Sequence, residues 1–246
     1  MSVLSIIAIL VAATAATNIS GYGPPVIGVA AGTGATAVPY TAAVANYILA
    51  QVNQLRSNVA WGRQSWHNSS NPSNSFWPPA KKLYSLKWNA TLATTAAQWM
   101  DARGDSFGAG EINVGFWAGT AGVNTITGQQ MFEEGWNNWW YGYLTSTGVP
   151  TFNYQYKLST TITRDQHYQN QVWMFVGENA LSIGCAYKNY TSTYRITCLL
   201  QTNGGMTNNS PPYNSAATPC EICSLCPPTT APCGPARGLC IAKAAG

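Results

Sequence analysis

The chain has 246 residues, enough for one domain of ordinary size plus tails, and its 46% hydrophobic content is ample for a core. Only 8% of residues are charged, and the net charge of +4 is spread thinly with no basic run. Neutralising phosphates needs clustered Lys and Arg, so this composition argues against nucleic acid as a partner. The surface is left to Ser, Thr, Asn, Gln and Tyr, and low charge removes one guard against self-association.

Residues 1–16 form an uncharged run of Ile, Leu, Val and Ala, and Ala13-Thr14-Ala15 supplies a small-x-small cleavage site. They read as a signal peptide that lacks the usual basic n-region. A membrane anchor is the alternative, but the run is short for a span, and no later stretch is apolar for long enough. Export makes the seven cysteines disulfide candidates, with one left over or paired between chains. Sequons at Asn18, Asn68, Asn89, Asn189 and Asn208 fit the same secreted, extracellular route.

Residues 17–42, rich in Gly, Ala, Pro and Thr, read as a linker. A first helix is predicted from near Ala43, with Ile48, Val52, Leu55 and Val59 on one face and Arg56 off that stripe. Residues 61–80 hold Gly, Asn, Ser and Pro and read as a loop. Trp88-Asn89 precedes a second helix with Leu92, Ala96 and Trp99 on one face. Asn89 is a natural N-cap, a role that would disfavour glycosylation there. Gly104 to Gln130 reads as irregular, and a third helix follows with a stripe of Phe132, Trp136, Trp139 or Trp140, and Tyr143. Such a stripe is most often core packing; a sugar-binding platform is the lesser alternative. Residues 144–163 form a connection.

Alternating apolar positions predict strands near 171–176, 180–187 and 194–200, with Lys188 to Thr193 as the turn between the last two. Cys185 and Cys198 face each other across that hairpin, where the short Cα spacing of a disulfide can be met. Beyond residue 202 the composition shifts to Asn, Gly, Ser and Pro, and Cys220, Cys223, Cys226, Cys233 and Cys240 crowd the end. A stretch this polar must be held by cross-links. Five cysteines allow fifteen patterns of two pairs and one leftover, and spacing selects none of them. Zinc is the weaker rival for close-set cysteines in an exported chain.

The block His167-Tyr168-Gln169-Asn170-Gln171-Val172-Trp173, then Ile183-Gly184-Cys185-Ala186, then Cys198, resembles the signature of the CAP (SCP/TAPS) superfamily. Val52-Asn53-Gln54-Leu55-Arg56 is similar to its His-Asn-x-x-Arg with Val for His. Trp88-Asn89-Ala90-Thr91-Leu92 is similar to its Trp-Asp-x-x-Leu, and Gly110-Glu111-Ile112-Asn113 to its Gly-Glu-Asn with one residue inserted. Gly177-Glu178-Asn179 spells the last motif outright but follows the His block, so the role is assigned to Glu111. The tail ending Gly238-Leu239-Cys240 resembles the worm venom-allergen-like branch.

The resemblance implies an α+β fold: a three-layer α-β-α sandwich with a central antiparallel sheet over residues 43–202. A disulfide-rich tail over 203–246 would follow it. The resemblance also supports the Cys185–Cys198 pair. The family's cleft resembles a metal or acid–base site of two His and two Glu. Here Val52 and Trp139 stand at two of those positions, which leaves His167 and Glu111 as a residual pair. Two ligands hold a divalent metal weakly, and His67 fits no family position. His167 alone has a pKa suited to general base catalysis but no legible partner, so a structural role is favoured. No nucleophile elbow and no phosphate-binding glycine motif is present.

The expected function is a secreted, non-enzymatic binding or effector protein without a dedicated cofactor, its ligand a sterol or other lipid, or an extracellular protein. One alternative is a metal-assisted hydrolase using His167 and Glu111. The other is a self-associating or disulfide-linked coat, cuticle or filament component, which ten Trp, thirteen Tyr and low charge would suit.

Overall fold

A computed structural model describes residues 36–68, 71–103, 114–119, 126–145, 174–189, 194–202, 211–216 and 238–241. The first strand, β1 (Val38–Pro39), lies inside the stretch read as linker, so the fold includes residues from Ala37 on. Helix α1 (Ala42–Ala60) follows, with the Thr41 hydroxyl accepting from the Val44 amide as its N-cap. Ile48, Val52, Leu55 and Val59 are all buried, as the spacing predicts.

Arg56 departs from its expected place off the stripe, since it is fully buried. It is held there by backbone oxygens. Its Nε donates to the Tyr84 carbonyl at 2.7 Å, and its Nη1 to those of Phe175 and Gly177 at 2.7 and 3.0 Å. Burial draws its pKa down to about 9, still above neutrality, so the guanidinium remains a cation.

Residues 61–80, read as loop, contain a hairpin of β2 (Ser65–Asn68) and β3 (Asn71–Phe76), with a register shift between Trp66 and Asn68. Asn, Ser and Pro carry little strand propensity, and the pairing is purely local. The short strands β4 (Tyr84–Ser85) and β5 (Lys87–Trp88) lead into α2 (Ala90–Arg103). Asn89 caps α2, accepting from the Leu92 amide at 3.1 Å. The buried face of α2 is Ala93, Ala96, Ala97 and Met100, one position round from the predicted stripe.

Within the span expected to be irregular lies β6 (Val114–Gly119), paired antiparallel with β8 from Val114↔Leu199 to Gly119↔Tyr194. Two glycines in six residues hide its pattern. Helix α3 (Gly128–Thr145) follows. Residues 174–176, predicted to end a strand, form a helical turn. Met174, Phe175 and Val176 are all buried, and an apolar run buried on every side carries no period to distinguish strand from turn.

The core of the sheet is β7 (Ala180–Asn189) against β8 (Tyr194–Thr202). Strand β7 takes in Lys188 and Asn189, which were expected in the turn. One edge of β7 is shared end to end by β1, antiparallel, and β5, parallel; β6 lies on the far side of β8. The alternation of side chains sets the layers. Ile183 and Cys185 of β7, with Tyr194, Ile196, Cys198 and Leu200 of β8, join the main core beneath α1 and α3. Ala186 and Leu199 face the other way onto Ala96, Ala97 and Met100 of α2. Gly184 also faces α2, and a Cβ there would lie 2.3 Å from the Ala93 nitrogen and 2.5 Å from the Asn89 oxygen. The result is the expected three-layer α-β-α sandwich, its sheet antiparallel apart from β5.

The described parts of the tail belong to the same body. Tyr213 is buried and donates to the Pro78 carbonyl at 3.0 Å. The last strand, β9 (Cys240–Ile241), pairs in parallel with β4. Leu239 and Cys240 are buried, and Cys240 is disulfide-bonded. Gly238, at φ +56°, packs against Trp61 where a Cβ would meet the indole Nε1 at 2.3 Å.

Candidate functional site

His167 and Glu111, the residual pair expected in the cleft, lie outside the described residues, as do Asn18, Asn208, Cys220, Cys223, Cys226 and Cys233. His67 falls in β2 and Trp139 on α3. Val52, at the first-helix position where the family motif has His, is fully buried in the main core. That makes position 52 a packing position, so the Val there does not by itself describe the cleft.

The described residues do show the wall that α1, α3 and β8 build together. Phe132 of α3 meets Tyr40 and Tyr47 edge-on, each with centroids 6.5 Å apart. Trp136 stacks on Phe132 at 5.8 Å and meets Phe175 edge-on at 5.4 Å. Over its described part, the aromatic stripe of α3 is therefore core packing rather than an exposed platform. Tyr40 lies 4.9 Å from Tyr187, and its buried hydroxyl has no hydrogen-bond partner among the described residues. Burial, then the neighbouring phenols of Tyr187 and Tyr194, push its ionisation far above the ordinary range. It stays neutral.

Two carboxylates on α3 escaped the sequence reading. Glu134 accepts a hydrogen bond from the Tyr194 hydroxyl, which fastens α3 to β8. Glu133 accepts from Gln129 Nε2 at 2.9 Å and is hydrogen-bonded to Tyr47, which fastens α3 to α1. Burial, the Glu133 charge and that hydrogen bond all raise the pKa of Tyr47. The available signal was the adjacent pair itself, since the chain has only eight acidic residues and these two sit among aromatics.

The other described carboxylates are also engaged. Asp101 pairs with Lys188 Nζ at 2.6 Å and accepts the Ala37 amide at 3.0 Å, holding the start of the fold against α2. Partial desolvation pushes its pKa up, but the hydrogen bonds from Lys188 and Ala37 and the Lys188 charge overcome this and leave it lowered. Glu178, in the second Gly-Glu-Asn, accepts from the Asn214 backbone at 2.8 Å and from Asn214 Nδ2 at 3.0 Å on each oxygen. That motif ties the 211–216 segment to the turn before β7. Among the described residues no three His, Cys, Asp or Glu side chains come together as a metal cluster, and no helix is long and apolar enough to cross a membrane.

The cysteine expectation holds where the structure describes it. Cys185 and Cys198 are directly opposite in the β7–β8 register, with Cα atoms 4.0 Å apart, and form a disulfide. The sequons differ in setting. Asn68 ends β2, opposite Asn71. Asn89 is committed to its cap and also reaches Gln201 Oε1 at 3.4 Å. Asn189 is buried, with 2% exposure.

Comparison with solved structures gives the same architecture. The structure of NaASP2 with Zn2+ superposes with a TM-score of 0.58 at 18% identity, covering 81% of this chain and 96% of that one. BmVAL-1 gives 0.58 at 21% identity, covering 83% and 97%. Na-ASP-1 gives 0.56 at 21% identity, covering 83% of this chain, which spans only 47% of the length of that protein. At such identities the likeness is one of fold. No curated protein matches by sequence. The profile of the cysteine-rich secretory protein family (CAP) matches residues 49–200, from within α1 to the end of the β8 core. With that match over more than half its length and this sandwich beneath it, the chain belongs to the cysteine-rich secretory protein (CAP) family.

Proposed function

We propose that this chain is a secreted, non-enzymatic binding or effector protein of the CAP family whose ligand is a sterol or another lipid. The observation that carries the non-enzymatic reading is the use made of its acids. Each of the four described carboxylates (Asp101, Glu133, Glu134 and Glu178) is tied to a donor that joins two pieces of the scaffold. A carboxylate so occupied holds the fold together and is poorly placed to take a proton from a substrate or to ligate an ion. The lipid reading draws support from family membership and from a chain rich in aromatic and poor in charged residues.

The test is a binding titration of the full chain with a fluorescent sterol, against heat-denatured protein. Saturable binding of about one sterol per chain supports the reading, and its absence removes the sterol as ligand. Metal is the competing outcome, since NaASP2 was solved with Zn2+. Stoichiometric zinc in purified protein, with a chelator-sensitive hydrolase activity lost in His167→Ala and Glu111→Gln, would replace the non-enzymatic reading with the metal-assisted one.

A further inference from the structure

Among the described residues, Lys81, Lys82, Glu178, Asn214 and Ser215 line a surface groove of about 500 Å³. That volume falls in the range of small-ligand sites. Its frame is rigid for a surface feature. The Lys81 amide donates to the Asn214 carbonyl at 2.6 Å and the Ala216 amide to the Pro79 carbonyl at 2.8 Å, either side of the Ala80↔Ser215 bridge. The Glu178 amide closes the far end on the Pro212 carbonyl at 2.9 Å. Buried Tyr213 anchors the strip from below.

Charge within this frame is asymmetric. Among the described residues neither lysine is paired with a carboxylate, and Lys82 Nζ lies over the Tyr84 ring, 5.2 Å from its centroid. Glu178, in the same lining, already accepts three hydrogen bonds from Asn214, which leaves a carboxylate about one acceptor site. We propose that this groove binds an acidic side chain of an extended peptide. The peptide carboxylate sits between the Lys81 and Lys82 ammonium groups, and a neighbouring peptide N–H donates to the remaining acceptor of Glu178. The presence of two cations and one anion in a single lining selects this class. A sulfated glycan or an anionic bilayer presents negative charge continuously and would be repelled by Glu178, whereas a peptide places N–H donors beside its carboxylates.

The experiment is calorimetric titration of the full chain at low salt with the capped peptide acetyl-Gly-Glu-Gly-Glu-Gly-amide. Parallel arms use a heparin hexasaccharide and vesicles containing phosphatidylserine. The wild-type chain is expected to bind the peptide. The double reversal Lys81→Glu with Lys82→Glu should weaken it at least about tenfold, from the loss of two exposed ion pairs and the new repulsion. Glu178→Gln should weaken the peptide and strengthen heparin, the opposite signs separating this pattern from a plain basic patch. Lys81 is exposed, so circular dichroism and Tm of Lys81→Glu alone should match wild type while its peptide binding weakens; Lys82 is half-buried over Tyr84, so the double reversal is compared at matched folded fraction. No peptide binding at millimolar concentration overturns the assignment. So does equal binding by the reversal variant, or tighter heparin or vesicle binding through the same lysines.

Discussion

Replacing Arg56 with Met removes the guanidinium while keeping most of the volume of its stem. The three backbone acceptors stay behind. Gly177 still receives the Ala180 amide at 3.2 Å, so its carbonyl is not orphaned. Phe175 loses a fully buried donor and Tyr84 a partly buried one. An unsatisfied buried acceptor costs roughly 1–3 kcal/mol, which puts Arg56→Met at about 3 kcal/mol once the partial exposure of the Tyr84 bond is counted. For a domain of this size that is a fall in Tm of roughly 6–12 °C. The assay is thermal and urea unfolding of Arg56→Met and Arg56→Lys beside wild type. Lys keeps the charge but reaches fewer carbonyls and should fall between the two. Replacing a buried ion with an apolar group is neutral or stabilising when its partners go too; here the partners are main chain and cannot. An Arg56→Met protein within about 0.5 kcal/mol of wild type would refute the reasoning, showing that the carbonyls find other donors or that the desolvation cost already cancelled the clamp.

Gly184→Ala should destabilise by about 3 kcal/mol or more, because the new Cβ meets the backbone of α2 rather than a yielding side chain; urea unfolding reads it directly. Acid should release the start of the fold. The carboxyl of Asp101 titrates lower in the folded state than in the unfolded one, so its contribution is complete above the unfolded pKa and disappears as pH falls through the folded value. The protection factor of the Ala37 amide, measured against the intrinsic exchange rate at each pH, should fall on acidification, and Asp101→Asn should leave it low at every pH. Glycopeptide mass spectrometry of protein secreted from eukaryotic cells should find Asn189 unmodified, since its side chain is buried, and Asn89 unmodified, since its oxygen caps α2. A glycan on Asn189 in folded protein would contradict that burial.

The elements that could be read were those whose sequence carries a period or a cap. The stripe of α1, the cap at Asn89, the β7–β8 hairpin and its disulfide all have local signatures, and each lies where its spacing indicates. The misplaced elements lack such signatures. Seven of the ten residues of the β2–β3 ribbon are Asn, Ser or Pro, β6 is one-third glycine, and Met174 to Val176 are buried on all sides. Arg56 shows a different limit. Its position off the apolar stripe is legible, but its burial depends on carbonyls from segments 28 and 121 residues away, which no local pattern encodes. The same holds for Glu134, whose meaning rests on a tyrosine 60 residues further on.

The return of the chain to Tyr84 changes how the cysteine-rich stretch should be regarded. Residues 217–237 run between two fixed posts, Ala216 at its hydrogen bond to Pro79 and Gly238 in the lap of Trp61. A cut between those posts leaves the C-terminal piece held to the domain by the β4–β9 ladder, with Leu239 and Cys240 buried in the core.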